Sequence, residues 1–129
     1  MEREVSTVRR FYGALARRDW NTAAECFTED AIWYLPGRGP LAGDHRGWNA
    51  IFANFLAKLE PLTKGTFRAE LVDVLVGEQL VAAFQHATGE RDGKRLDLTA
   101  CQVMRFRDGR IANVYGHYSD LHQLDHFWS

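Results

Sequence analysis

The chain has 129 residues, 46% apolar and 26% charged, with a formal net charge of −1. That length suits one domain spanning residues 1–129 and leaves no room for a second core, while the balanced charge lacks the basic excess that recommends nucleic acid as a partner. The opening segment Met-Glu-Arg-Glu-Val-Ser-Thr-Val-Arg-Arg carries no uninterrupted apolar run of the kind a signal peptide or membrane span requires, so the expectation is a cytoplasmic protein with no membrane partner.

Val5, Val8, Phe11, Tyr12, Leu15 and Ala16 recur at three- and four-residue spacing and predict a first amphipathic helix that stops near Asp19. Asn21 or Thr22 then caps a short second helix, since Thr22 and Glu25 have capping-box spacing. A strand ending in Ala31-Ile-Trp-Tyr-Leu35 runs into the loop Pro-Gly-Arg-Gly-Pro-Leu-Ala-Gly43. Trp48, Ile51, Phe52, Phe55, Leu56 and Leu59 predict a third helix from about Arg46 to Leu59 or a little beyond, which Pro61 helps to end. From Phe67 the texture becomes β-branched and alternating, giving strands over Phe67–Val76, Leu80–Thr88, Leu96–Phe106 and Arg110–Tyr118. Asp92-Gly93 and Asp108-Gly109 mark tight hairpins, because glycine accepts positive φ cheaply.

Helices first and an antiparallel meander second predict an α+β domain: three N-terminal helices packed on a curved, mostly antiparallel sheet, with a cleft at its open end for a small apolar ligand. Cys26 and Cys101 belong to no Cys-x-x-Cys pair and read as buried thiols. A Rossmann or P-loop glycine pattern is absent, so no nucleotide is implied, and no cofactor is expected.

This order, with Phe27-Thr-Glu-Asp-Ala-Ile, Pro40-Leu-Ala-Gly43 and Val103-Met-Arg-Phe-Arg-Asp-Gly-Arg-Ile111, resembles the nuclear-transport-factor-2-like superfamily, and within it the ketosteroid isomerases and SnoaL-like polyketide cyclases. The resemblance implies a cystatin-like α+β barrel shaped as a cone around an apolar pocket, and a tendency to pair as a homodimer through the outer sheet face. Against the isomerase pattern, the proton-shuttling Asp falls on Leu35, the helix-one Tyr on Phe11, and the protonated-acid donor on Gln102. Leucine cannot take a proton, so isomerisation of 3-ketosteroids by that mechanism is not expected. Tyr12 stands one residue from the Tyr position, about 100° round the helix.

Strand alternation sorts the pocket candidates, since residues two apart share a face. The resemblance then implies a lining of Phe11, Tyr12, Leu15, Trp33, Leu35, Phe55, Val114 and Tyr118, with Gln85 and Gln102 as polar points. A buried amide without a partner costs roughly 1–3 kcal/mol, so the two glutamines need each other, water or a ligand. His117 is the candidate base, because its reference pKa near 6.5 suits proton transfer at neutral pH, and Asp120 is placed to orient it. In the competing reading His117 is a surface or interface residue and Asp120 caps a C-terminal turn.

His86 counts to the outer face, and His45 sits on a loop where it could guard the pocket mouth. His122 and His126 are four apart but lack a third ligand, so no metal is assigned. Leu124, Phe127 and Trp128 should pack on the domain. The expected function is a SnoaL-like enzyme using cofactor-free acid/base catalysis of the isomerase, cyclase or dehydratase type on a hydrophobic, carbonyl-bearing molecule. The alternatives are a binding protein using the same pocket and a protein-interaction module using the outer sheet face.

Overall fold

The spacing that marks the first helix puts Val8, Phe11, Tyr12 and Ala14 on one buried face of α1 (Glu2–Arg17) in the computed structural model, which describes residues 2–129. Arg18, at φ 57°, turns the chain out of α1. Its N–H and that of Asp19 bond back to the carbonyls of Leu15 and Ala14, so the last turn does not fray. The cap of α2 (Trp20–Glu25) is Asp19 rather than Asn21 or Thr22. Its carboxylate accepts the Thr22 N–H at 3.2 Å and the Thr22 hydroxyl at 2.7 Å, bonds that hold the Asp19 carboxyl below its ordinary range. An anion there also meets the positive end of the helix dipole.

β1 (Phe27–Leu35) is followed by β2 (Gly43–Arg46), a strand too short and polar to be read from sequence. It pairs antiparallel with β1 and sets His45 opposite Trp33. The expected third helix is broken. α3 covers Trp48–Asn54, Phe55 leaves helical geometry at φ −135° and ψ −77°, a 3-10 turn spans Leu56–Lys58, and α4 spans Leu59–Thr63. Pro61 therefore lies in the first turn of α4, where its missing N–H has no helical partner to lose. It does not end the helix.

β3 (Arg68–Val76), β4 (Val81–Arg91), β5 (Lys94–Arg107) and β6 (Arg110–Tyr118) form the expected meander. Its two Asp-Gly turns hold both central residues at positive φ: 50° and 76° at Asp92-Gly93, 53° and 79° at Asp108-Gly109. The sheet order is β2-β1-β6-β5-β4-β3, antiparallel throughout except that β1 runs parallel to β6. Two cross-strand rows result, Ala83–Gln102–Gly116 and Gln85–Ala100–Tyr118, and these carry the polar groups of the concave face. Cys26 is buried as expected. Cys101 is only half-buried, because it stands on the convex face opposite His117.

α5 (Leu121–Trp128) closes the cone with buried Leu124, Phe127 and Trp128. It is fastened to the β1–β2 loop by Asp125, whose Oδ1 accepts the N–H of Arg38 at 2.9 Å and of Gly39 at 3.2 Å. A Cβ on Gly37, at φ 105°, would stand 2.3 Å from that oxygen, so this close approach needs glycine. Among the described residues, no helix is long and apolar enough to cross a membrane.

Candidate functional site

The concave face encloses a chamber of about 30 Å3 whose walls include Phe11, Tyr12, Leu15, Trp33, Phe55, Gln85, Gln102 and Tyr118. Leu35 lines a neighbouring chamber of about 20 Å3, shared with Phe55, Gln85 and Tyr118 and floored by Leu124 and Trp128 of α5. Nine of the expected site residues thus line two small adjacent spaces. Val114 is a correction. It is fully buried between Trp33 and Met104 in the sheet but borders neither chamber.

His117 and Asp120 are the larger correction. His117 is exposed on the convex face, because strict alternation holds to the end of β6 and no bulge redirects it. The carboxylate of Asp120 accepts the Gln123 N–H at 2.9 Å and caps α5. No hydrogen bond joins the two, so the expected proton-moving pair is not formed in the cone. His86 also faces outward, where its Nε2 lies 2.6 Å from Asp97 Oδ1. His45 is buried rather than at a pocket mouth. Its Nε2 donates to the Leu41 carbonyl at 2.7 Å, and its ring stacks on Phe55, which separates it from both chambers.

Tyr12 and Phe11 are both buried and both border the chamber. Phe11 packs edge-on against Phe27 and Tyr12 and tilts onto Trp33. The Tyr12 hydroxyl crosses the chamber and donates to Gln85 Oε1 at 2.5 Å. Gln102 Nε2 donates to the Tyr118 hydroxyl oxygen at 3.2 Å. The two glutamines thus pair with tyrosines and not with each other, because the register sets each opposite an alanine of the other's strand.

Burial raises the pKa of Tyr12 well above its ordinary value, and the nearby Tyr118 phenol adds to the rise. Burial also raises that of Tyr118, against a smaller opposing effect from the Gln102 bond. Both phenols therefore stay neutral near pH 7 and act as hydrogen-bond donors rather than bases. Tyr118 accepts from Gln102, which leaves its own hydrogen available to donate.

Among the described residues that border this chamber, two buried side-chain polar atoms have no partner. Trp33 Nε1 is a donor and Gln102 Oε1 an acceptor, on side chains only 3% and 1% exposed, and both residues border the same chamber. Each unpaired buried group costs about 1–3 kcal/mol, and a space of this size holds about one water-sized group. Gly116 shares the inward face of β6 with Tyr118, and its part in shaping the site was not read from the sequence. A Cβ there would sit 3.0 Å from the Tyr118 ring and 3.2 Å from Gln102 Oε1, so glycine keeps this corner open. The signal was a glycine inside a strand, which marks a close approach.

The model of the SnoaL-like domain matches residues 8–114. An uncharacterised protein of Mycobacterium tuberculosis, Rv0034, is 30% identical over 128 residues, covering 98% of this chain and 96% of its own. The structure of Bal32a, from a soil-derived mobile gene cassette, matches at 42% identity and a TM-score of 0.95 over 99% of this chain and 98% of that one. A protein with a cystatin-like fold from Xanthomonas campestris matches at 27% identity and a TM-score of 0.88, over 98% of each chain. With a family model spanning most of its length and an extended cone closed by its last helix, the chain belongs to the SnoaL-like domain family.

Proposed function

We propose that the cone binds a hydrophobic small molecule through one oxygen and favours its enol over its ketone form, as cofactor-free isomerase- or cyclase-type chemistry requires. The observation that carries this reading is the unpartnered pair, Trp33 Nε1 and Gln102 Oε1, beside the available Tyr118 hydrogen. A ketone oxygen accepts from Trp33 and Tyr118 but leaves the Gln102 carbonyl unpaired. An enol hydroxyl accepts the same bonds and also donates to Gln102. The wall is thus better matched to the enol, and such differential binding is what lowers a barrier. All of these groups are neutral, so an ionised head group would lose its hydration without gaining a counter-charge.

Binding without turnover is a second reading, favoured because neither chamber's lining includes a carboxylate or an imidazole. Pairing as a homodimer through the convex sheet face belongs to the proposal as well, supported by exposed Leu75 and the stacked Tyr34–Tyr115 rings.

Calorimetric titration with 2-naphthol, a locked enol, and with naphthalene and 2-tetralone tests the first step. 2-Naphthol should bind roughly tenfold or more tightly than naphthalene, because it pairs groups that each cost about 1–3 kcal/mol unpaired. Equal affinities would overturn the reading. Proton NMR of 2-tetralone in D2O separates the two forms of the proposal, since protein-dependent exchange at C1 marks enolisation and its absence marks binding alone.

A further inference from the structure

A chamber of about 30 Å3 admits an oxygen but not the body of a ligand, so the body must lie in an adjoining space. A groove of about 300 Å3 lies between the end of α1, α4 and the start of β3. Leu15, Leu56, Leu59, Phe67 and Ala69 border both the groove and the chamber, and so form the partition between them. The groove is mostly apolar, with Trp20 on its wall and Arg18, Glu60, Arg68 and Glu70 at its rim. The rim offers no net charge. Arg18 is paired with Glu60, and Arg68 donates to the carbonyls of Gly65 and Phe67 at 2.7 and 2.8 Å.

Arg18 holds a left-handed backbone conformation at φ 57°. Glycine ordinarily serves at that point of a helix end, because a Cβ in that conformation crowds the following carbonyl oxygen. Lys64 holds the same conformation at the end of α4, so what sets Arg18 apart is where its side chain reaches. The left-handed turn carries its guanidinium across from α1 to Glu60 of α4, over the groove. The other end of the cone is closed more firmly, since α5 is held by the Asp125 bonds and by Arg91 donating to the Phe127 carbonyl.

We infer that the groove under the Arg18–Glu60 ion pair is the entrance to the chamber and the seat of the ligand's body, and that the ligand is an uncharged, elongated apolar molecule with one terminal oxygen. This rests on the reading of the chamber given above. The ion pair acts as a gate: it is half-exposed and holds two elements together without burying either charge. Leu15, Leu59 and Phe67 then move aside to let the oxygen reach Trp33 and Gln102.

Stopped-flow fluorescence with 2-naphthol tests the inference on three variants. Arg18→Gly removes the gate and relieves the backbone, so it folds, and the association rate should rise roughly two- to fivefold, the change an exposed ion pair can account for. Raising NaCl to 1 M should bring the wild-type rate toward that of the variant, since screening weakens the pair. Ala16→Trp, at an exposed position that borders the groove but not the chamber, should weaken binding at least tenfold. Gln102→Leu reports on the chamber alone. If Gln102→Leu weakens binding while Arg18→Gly and Ala16→Trp change nothing, the groove is not the entrance and the chamber reading survives. If Ala16→Trp blocks binding and Gln102→Leu does not, the chamber reading falls, and with it the link between groove and chamber. No 2-naphthol binding to the wild type overturns both.

Discussion

Replacing Gln102 and Tyr118 together by leucine and phenylalanine should make the protein more stable and remove its preference for a hydroxyl. Gln102 Oε1 is unpartnered on a side chain that is 1% exposed, and leaving such an acceptor dry costs about 1–3 kcal/mol. The double substitution also gives up the 3.2 Å bond between Gln102 and Tyr118, worth about 0.5–1.5 kcal/mol. Because both of its partners become apolar, neither is stranded, and the volumes are nearly conserved. The balance favours the variant by about 1 kcal/mol, or a rise in Tm of roughly 3–6 °C for a domain of this size. Differential scanning calorimetry measures that rise, and titration of the same sample with 2-naphthol and naphthalene should find the two affinities brought together. A Tm that falls by several degrees would refute the reasoning, since the Gln102 carbonyl would then be paid for in the folded state. Gln102→Leu alone should be less stable than the double variant, because it strands the buried Tyr118 hydroxyl.

His117→Ala should leave 2-naphthol affinity and any 2-tetralone exchange unchanged, whereas a large loss of either would return His117 to the site. Asp120→Ala should lower stability by about 1 kcal/mol through the lost cap of α5, read as a Tm shift with ligand affinity intact. The protein should not turn over a Δ5-3-ketosteroid by the isomerase mechanism, because the lining of neither chamber offers a carboxylate or an imidazole to carry the proton, and clear enzyme-dependent turnover in an absorbance assay would contradict this. Tyr12 and Tyr118 have folded-state pKa values above the ordinary 10.0. Their stabilisation is thus full below about pH 10, where the unfolded phenols begin to ionise, and is lost as pH climbs toward the folded values. Chemical denaturation between pH 8 and 11 should show that decline, and Tyr12→Phe should blunt it.

Period-two and three-to-four spacing made the sheet and α1 legible, and Asp92-Gly93 and Asp108-Gly109 fixed their turns, because each signal arises from local geometry alone. The break at Phe55 was not legible. The apolar spacing runs on through Leu56 and Leu59, so a pattern of faces is blind to a backbone that leaves the helix and resumes it. The lining was largely readable, since the family resemblance set Gln85, Gln102 and Tyr118 inward and alternation then sorted their neighbours by face. Their partners were not, because the crossing of Tyr12 from α1 to Gln85 depends on where helix and sheet meet in space. For His117, alternation, which turns it away from the face of Gly116 and Tyr118, was a better guide than its reference pKa. Asp120 obeyed the simplest rule available to it, an aspartate before a helix.

The parallel pairing of β1 with β6 also bears on how the chain reaches this state. The hairpins from β3 to β6 join neighbours in sequence and can form as each strand becomes available, whereas β1 must wait for Ile111 before Phe27 has a partner. Loop-closure entropy makes that late, distant contact the slow one. Within the sheet, the β1–β2 pair and the meander therefore behave as two pieces joined along one seam. Substitutions along that seam, at Phe27, Trp33 or Val114, should slow folding more than equally buried changes within the hairpins.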